Sequence, residues 1–348
     1  MANATLAEAK NTKNDEFYTQ YEDIQREINA YLEYNPDVFR GKTVLLPCDD
    51  PEWSNFTRFF AQNFENFGLK KLISTSFAYE SKNSNVKYKS SVFEETSLNF
   101  DENKTRTHGK IFTLTKDSNK SGVIDIDDLE WQYLEGDGDF RSNEVKALRD
   151  EADIIITNPP FSLFREFLTW IIEGGKDFII IGNMNAITYK EVFPLIMQNT
   201  VWLGNGFSAG NAYFMPASAN VFEYASGVYD EKTGLVKFRN CCWFTNVDHG
   251  RRHQPLQLMS MEDNIKFSKH KEIKEQGYQK YDNCDAIEVP FTDAIPCDYD
   301  GVMGVPISFL LKYCPEQFEI IKFRKGDDEK DLSVNGKCPY FRILIRRR

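Results

Sequence analysis

The 348-residue chain has no run approaching 18 consecutive apolar residues, so no membrane-spanning helix is expected. Its N-terminus lacks an apolar signal core. None of its seven cysteines stands in a Cys-x-x-Cys pair, and the plain reading is reduced thiols in a cytoplasmic protein. No internal repeat stands out. Net positive charge is also missing: the balance is −11 and the isoelectric point near 5.1. That argues against attachment to nucleic acid by bulk charge, though not through a local basic face. The tight loop after the first expected strand has no Gly-x-Gly-x-x-Gly, so NAD-binding and phosphate-cradle readings lose their main support.

What is present is a soluble globular composition, 41% hydrophobic and 27% charged. The length suffices for one large domain or two ordinary ones. Charge is segregated. Acids concentrate between 94 and 153, while basic clusters lie at Arg251-Arg252, at 266–274, around Lys322, Arg324 and Lys325, and at Arg342 with Arg346-Arg347-Arg348. The pattern suits an enzyme with one basic cleft, although each cluster taken alone is equally an ordinary solvated face.

The most informative stretch is Asn158-Pro159-Pro160-Phe161. It follows an apolar, β-branched run at 152–157 that reads as a buried parallel strand. After it, apolar positions recur at helical spacing through 162–173, and Gly174-Gly175 gives a helix stop. A strand end meeting a helix start is where open α/β sheets bind ligands. An exocyclic amino group on a nucleobase is a poor nucleophile, because its lone pair is delocalised into the ring. An Asn oxygen and a backbone carbonyl can accept both of its hydrogens, which favours a more tetrahedral nitrogen aimed at an electrophile. The prolines fix φ and pre-aim the carbonyl between them. The Phe161 ring offers a stacking face for a base taken out of the duplex.

These residues, Asn158 to Phe161, resemble the catalytic motif of the amino-methyltransferases that act on adenine N6 or cytosine N4 of DNA. Phe17-Tyr18-Thr19 resembles the N-terminal cofactor motif of their gamma arrangement, and the resemblance implies contact with the methionine end of S-adenosyl-L-methionine. Residues 22–35 read as an amphipathic helix with Ile24, Ile28, Tyr31 and Leu32 on one face. Val44 to Leu46 reads as the first strand, 47–51 as a turn, and Ser54 or Asn55 as the cap of a helix through Phe64. S-adenosyl-L-methionine has no phosphate to cradle and carries a sulfonium and an ammonium, which the carboxylates of Asp49 and Asp50 suit.

The whole stretch, Pro47-Cys48-Asp49-Asp50-Pro51 followed by Ser54-Asn55-Phe56, is similar to the EcoRI-type adenine-specific methyltransferases, which depart from the usual glycine motif in this way. The resemblance implies that Pro47, Cys48, Asp49, Asp50 and Ser54 line the cofactor pocket. A second strand at 72–77 ends without the ribose-binding acid of the wider family, Glu80 being the only acid near. Gly138-Asp139-Phe140 matches the family's third motif, which implies that Asp139 accepts the adenine N6 hydrogens of the cofactor and Phe140 packs on its ring. Residues 80–122 are polar and read as an exposed hairpin or insertion, with a short alternating piece at 110–114.

Strand 176–185 leaves Asn183 and Asn185 at the same sheet edge as Asn158, as candidates for base or cofactor contact. A helix at 189–199 and a strand or turn at 201–204 follow. Strand and helix alternate often enough to give an α/β fold with a doubly wound, mostly parallel sheet, Rossmann-like by the resemblance. From 206 the texture changes to antiparallel strands and loops, an α+β region expected to recognise the target. Within it, His249 and His253 are four apart, but Gly250 argues against a shared metal, and no metal is expected. Arg251, Arg252 and His253 read instead as a loop contacting DNA phosphates, with a plain surface turn as the alternative. Residues 300–310 read as a glycine-rich loop feeding a short helix, and 318–323 and 340–346 as alternating strands. The runs Asp-Gly-Val-Met-Gly-Val-Pro and Arg-Ile-Leu-Ile-Arg also resemble the EcoRI type, so the likeness extends from about residue 13 to the C-terminus.

The resulting expectation is a catalytic domain over 1–205, carrying the insertion at about 80–122, and a target-recognition region over 206–348 packed against it and partly completing it. The leading function is adenine-N6 methylation of double-stranded DNA by a monomer, in a restriction-modification system with a cognate endonuclease. Cytosine N4 as target, and glutamine-N5 methylation of a protein, share the tetrapeptide. A DNA-binding module with a decayed site and a fused nuclease at Asp263 with Glu272 and Lys274 are further alternatives; the second lies in a lysine-rich run that reads as a solvated helix.

Overall fold

The computed structural model describes residues 17–50, 54–78, 97, 99–207, 211–216 and 228–348. Expectations for 13–16, Pro51, Glu80, 208–210 and 221–222 lie outside them. The chain divides into two compact units, Met1–Ala186 with Gly204–Asp248, and Ile187–Leu203 with His249–Arg348.

The strands begin with β1 (Phe17–Thr19), β2 (Thr43–Leu46), β3 (Lys71–Ser76), β4 (Lys110–Leu114), β5 (Glu130–Tyr133), β6 (Ile154–Thr157) and β7 (Asp177–Asn183) in the first unit. The two-residue β8 (Trp202–Leu203) lies in the second unit, and β9 (Ala212–Pro216), β10 (Tyr229–Asp230), β11 (Leu235–Phe238) and β12 (Cys241–Thr245) return to the first. The main sheet of the first unit runs β5-β4-β3-β2-β6-β7-β12. Its centre, β3-β2-β6-β7, is parallel. Its flanks, β4, β5 and β12, are antiparallel. The architecture is mixed α/β.

Every residue of β2 and β6 is buried, which is why both read as continuous apolar runs rather than alternating ones. Helices make the crossings that parallel strands require. Asn55–Gln62 and Phe64–Phe67 lie between β2 and β3, Asn143–Glu151 precedes β6, and Phe164–Glu173 links β6 to β7. The helix expected through Phe64 breaks at Asn63, whose ψ of 14° interrupts it. The Phe164–Glu173 helix buries Phe164, Phe167, Leu168, Trp170 and Ile171 and ends where Gly175 takes φ +62°.

Lys110–Leu114, expected within an exposed insertion, is an interior strand of the main sheet between β3 and β5. Its alternate residues Phe112 and Leu114 are buried, so period-two patterning prevailed over the polar surroundings. A second sheet in this unit, β1-β9-β11-β10, is wholly antiparallel. It buries Ala212, Phe214 and Val236 and exposes Tyr213 and Met215.

The second unit holds β13 (Ala286–Glu288), β14 (Val302–Pro306), β15 (Phe318–Phe323) and β16 (Arg342–Arg347) in the order β13-β14-β16-β15. The glycine-rich run expected as a loop is β14, with a 3₁₀ helix at Ile307–Lys312 after it. Gly304 is there because the Tyr281 hydroxyl lies where a Cβ would project, not to form a turn. Of the helix expected at 189–199, the α-helical part is Phe193–Met197. None of the seven cysteines is paired. Among the described residues, no helix is long and apolar enough to cross a membrane.

Candidate active site

The C-terminal ends of the parallel strands gather most of the residues singled out in the sequence. β6 delivers Thr157 and then Asn158, Pro159, Pro160 and Phe161, the last opening a 3₁₀ turn ahead of the Phe164–Glu173 helix. Asn158 is half-buried. Its Nδ2 donates to the Phe17 carbonyl at 2.7 Å, while its Oδ1 is buried without a hydrogen-bond partner. A buried acceptor left open in this way costs on the order of 1–3 kcal/mol unless something else supplies a donor.

β1 is thereby pinned across the site. Asn158 holds the carbonyl of Phe17, and Asn55 Nδ2 donates to the carbonyl of Thr19 at 2.8 Å. Thr19 is 2% exposed, and its hydroxyl is a second buried polar atom with no partner. Tyr18, between them, pairs in register with Met215 of β9. The sequence reading missed this role of Asn55, naming it only as a helix cap. Ser54 takes the cap position and accepts from Phe56 N.

Phe161 is not a free platform. Its ring lies 6.2 Å from Phe17 at an interplanar angle of 28°, and 6.2 Å from Phe214 and 5.9 Å from Phe238 edge-on. The catalytic-loop aromatic therefore rests on a cluster contributed by the small sheet, and remains half-buried.

The loop 47–50 departs from expectation most at Asp49. Asp50 is partly exposed at the end of β2, as are Cys48 and, at the neighbouring edge, Asn183. Pro47 is buried, and its carbonyl accepts from Thr75 Oγ1 at 2.9 Å. Asp49, expected to face a cationic ligand, points inward instead and is 5% exposed. Both of its carboxylate oxygens are taken, Oδ1 by Ser54 Oγ and Oδ2 by Thr157 Oγ1, each at 2.6 Å. Burial pushes its carboxyl up to about 7, against the pull of those two hydroxyls, and neighbouring Asp50 pushes the same way.

Gly138 sits beside this edge at φ +84°, where a Cβ would fall 2.4 Å from the Ser76 carbonyl oxygen. Only glycine fits. Ala78 N donates to Asp137 O at 2.7 Å, tying the loop to the end of β3. Asp139 accepts from Arg141 Nη2 at 2.6 Å and from Nε at 2.9 Å. Phe140 departs from its expected place on a ligand ring: it is 6% exposed and packs edge-on against Phe167 and Trp170. The helical face behind the loop occupies it.

Asn183 Oδ1 accepts from Asn185 N at 2.9 Å, and Asn185 is exposed. Arg251, Arg252 and His253 belong to the second unit, in a 3₁₀ turn. In this turn Arg252 and His253 have protein partners. Arg252 is 8% exposed, hydrogen-bonded to Asn199 and stacked 3.8 Å over the Trp202 ring. His253 pairs with Glu316 at 2.8 Å. His249 is buried, with Nε2 at 3.0 Å from the Leu203 carbonyl. The two histidines have separate partners, and no metal-ligand cluster occurs among the described residues.

Three comparisons bear on the chain. A family model described as adenine-specific methyltransferase EcoRI matches residues 5–348. The chain is 44% identical over 347 residues to the Type II methyltransferase M.EcoRI of Escherichia coli, covering 99% of this chain and 97% of that one. It is 31% identical over 358 residues to the Type II methyltransferase M.MpnI of Mycoplasma pneumoniae, covering 98% and 97%. No solved structure matches it.

Proposed function

The chain belongs to the EcoRI family of adenine-specific methyltransferases, and on that premise we propose how its first unit carries out site-specific methylation of adenine N6 in double-stranded DNA. The observation that carries the proposal is Asn158: its Nδ2 is committed to Phe17, and its Oδ1 is left buried and unsatisfied. A flipped adenine places an N–H donor there. Asn158 Oδ1 accepts one hydrogen of the amino group, and the Pro159 carbonyl accepts the other. The nitrogen lone pair is then drawn out of ring conjugation and aimed at the methyl donor. Pro160 holds the carbonyl's direction, and Phe161, backed by Phe17, Phe214 and Phe238, gives the base a fixed surface.

The methyl donor of this reading is S-adenosyl-L-methionine, which when bound supplies an electrophilic methyl group on a sulfonium. The residues present suit it. Thr19 offers a buried, unpartnered hydroxyl, Asp50 a partly exposed carboxylate for the cationic end, and Phe17, Tyr18, Pro47, Cys48 and Asp139 complete the walls. Ser54, Asp49 and Phe140 support from behind rather than by contact.

Functionally, we assign a Rossmann-like, doubly wound catalytic domain to 1–205, completed by the strands of 206–248 that share its unit, and target recognition to the remainder of 206–348. Asn183, Asn185 and the partly exposed Arg251 are assigned to DNA contact. The setting is that of a cytoplasmic monomer with a cognate restriction endonuclease as functional partner.

Labelled methyl transfer to duplex DNA tests this. The digest is expected to contain N6-methyladenine; N4-methylcytosine alone would overturn the choice of base. Asn158→Ala is expected to lower kcat by about 10²–10³-fold while calorimetry still detects S-adenosyl-L-methionine binding. Undiminished transfer would remove Asn158 from the mechanism.

A further inference from the structure

We propose that Asp49 is a positioning residue, fastening the end of the catalytic strand to the loop that receives the methyl donor. The inference rests on the active-site reading above and adds to it a residue that touches neither substrate.

The geometry is a convergence. Oδ2 accepts from Thr157 Oγ1, and Thr157 immediately precedes Asn158; Oδ1 accepts from Ser54 Oγ, the cap of the helix that follows loop 47–50. The Asp49 carbonyl accepts from Thr57 Oγ1 at 3.1 Å and from the Ser74 hydroxyl, and its N–H donates to Thr75 O at 3.0 Å. One side chain thus joins β6 to the β2 loop, and the same residue's backbone joins that loop to β3 and to the Asn55–Gln62 helix.

The surroundings make a carboxyl a costly choice here. The hydroxyls of Ser54 and Thr157 face the carboxyl, those of Thr57 and Ser74 face the backbone carbonyl, and the charged group acting on it is Asp50, which repels it. No cation compensates it among those neighbours. Well-packed apolar residues would serve stability as well or better than an uncompensated buried carboxyl. What the carboxylate alone provides is two acceptors on one rigid fork. Each fixes a hydroxyl: that of Ser54 holds the start of the Asn55–Gln62 helix, and that of Thr157 the backbone immediately before Asn158, the amine-orienting group. Displacement of such a group by about 1 Å costs about 10²-fold in rate.

The experiment measures kcat, KM for DNA and S-adenosyl-L-methionine affinity for wild type, Asp49→Asn, Thr157→Val and Thr157→Ser, with thermal unfolding as the folding control. Thr157→Val removes the donor at nearly constant shape, and kcat is expected to fall by about 10²-fold with cofactor affinity retained. Thr157→Ser, which keeps the hydroxyl, is expected to restore most of the rate. Asp49→Asn retains one acceptor and loses the charge; kcat is expected to fall, and the acid limb expected of wild type near pH 7 is expected to be lost with it. Packing alone moves neither the Val–Ser contrast nor that limb. A Thr157→Val enzyme as fast as wild type overturns the inference, as does an unchanged acid limb in folded Asp49→Asn. If Asp49→Asn does not fold, the Thr157 pair decides alone. Absence of transfer by the wild type would overturn the active-site reading itself, a result distinct from either.

Discussion

Two buried carboxylates, Asp49 in the first unit and Glu288 in the second, are stabilised by opposite means. In the second unit Glu288 is 7% exposed and meets a cation directly, Arg342 Nη2 at 2.6 Å and Nε at 2.8 Å, with the Tyr281 hydroxyl on its other oxygen. Burial and the adjacent Glu288 together push the Tyr281 hydroxyl well up. Charge there is cancelled by charge. In the first unit Asp49 meets only hydroxyls, and its repulsive neighbour is another aspartate. Burying a carboxyl that way costs stability. The difference separates a scaffold, where buried charge is neutralised on the spot, from a reacting edge, where side chains are held for geometry and some acceptors stay open.

The largest expected effect comes from turning the first arrangement into the second. Arg342→Met leaves Glu288 buried without its cation, and urea unfolding is expected to show a loss of about 3–5 kcal/mol. A loss near that of an exposed ion pair would mean that Glu288 does not depend on Arg342, and the contrast would fail.

The second effect lies in pH. The folded-state carboxyl of Asp49 sits at about 7, above its ordinary 3.8. A raised carboxyl favours the folded protein only while it holds its proton. Its contribution is therefore fully present below about 4, is lost as pH climbs toward about 7, and changes no further above that. Asp49→Asn lacks this titration. Relative to the variant, wild type is expected to lose stability by a few kcal/mol across that window in urea titrations at stepped pH. Parallel curves for the two proteins would show that Asp49 does not titrate there.

How much of this was legible beforehand depended on whether chemistry is local. Asn158 to Phe161 stood out because a strand end, two prolines and an aromatic ring are adjacent in the chain. β2, β6 and β7 were legible because strands buried on both faces are apolar throughout. The inward turn of Asp49 was not, since consecutive residues of a tight loop point oppositely and only Thr157, 108 positions away, settles which is which. Nor was the burial of Phe140, decided by Phe167 and Trp170 on a later helix, or the burial of Arg252 over the Trp202 ring. Thr157 itself carried a signal: it is the one hydroxyl closing the otherwise apolar run Ile154–Thr157. β14 was misread because two glycines in seven residues suggest a turn; Gly304 answers instead to the Tyr281 hydroxyl packed against it.

A third test separates Asp49's two oxygens. Ser54→Ala removes the helix cap and one of the two donors, leaving Thr157 in place. Loss of the cap is worth about 1 kcal/mol, read from a modest fall in thermal midpoint. If Asp49 positions the catalytic strand through Thr157, kcat is expected to fall much less in Ser54→Ala than in Thr157→Val. Equal losses would mean that the carboxylate moves as a body when either donor is removed.

The smallest effect calibrates the rest. Lys42 and Asp177 form an ion pair at 2.8 Å in the first unit with side chains 29% and 44% exposed. Solvent and salt screen it, so Lys42→Met is expected to cost less than about 1 kcal/mol and to leave methyl transfer untouched. It sits at the opposite end of β2 from loop 47–50, before Thr43 rather than after Leu46. A loss matching that of Arg342→Met, measured by the same urea titration, would show that exposure does not govern the worth of charge in this fold. The distinction between a neutralised scaffold carboxylate and an unpaired positioning one would then have no energetic basis.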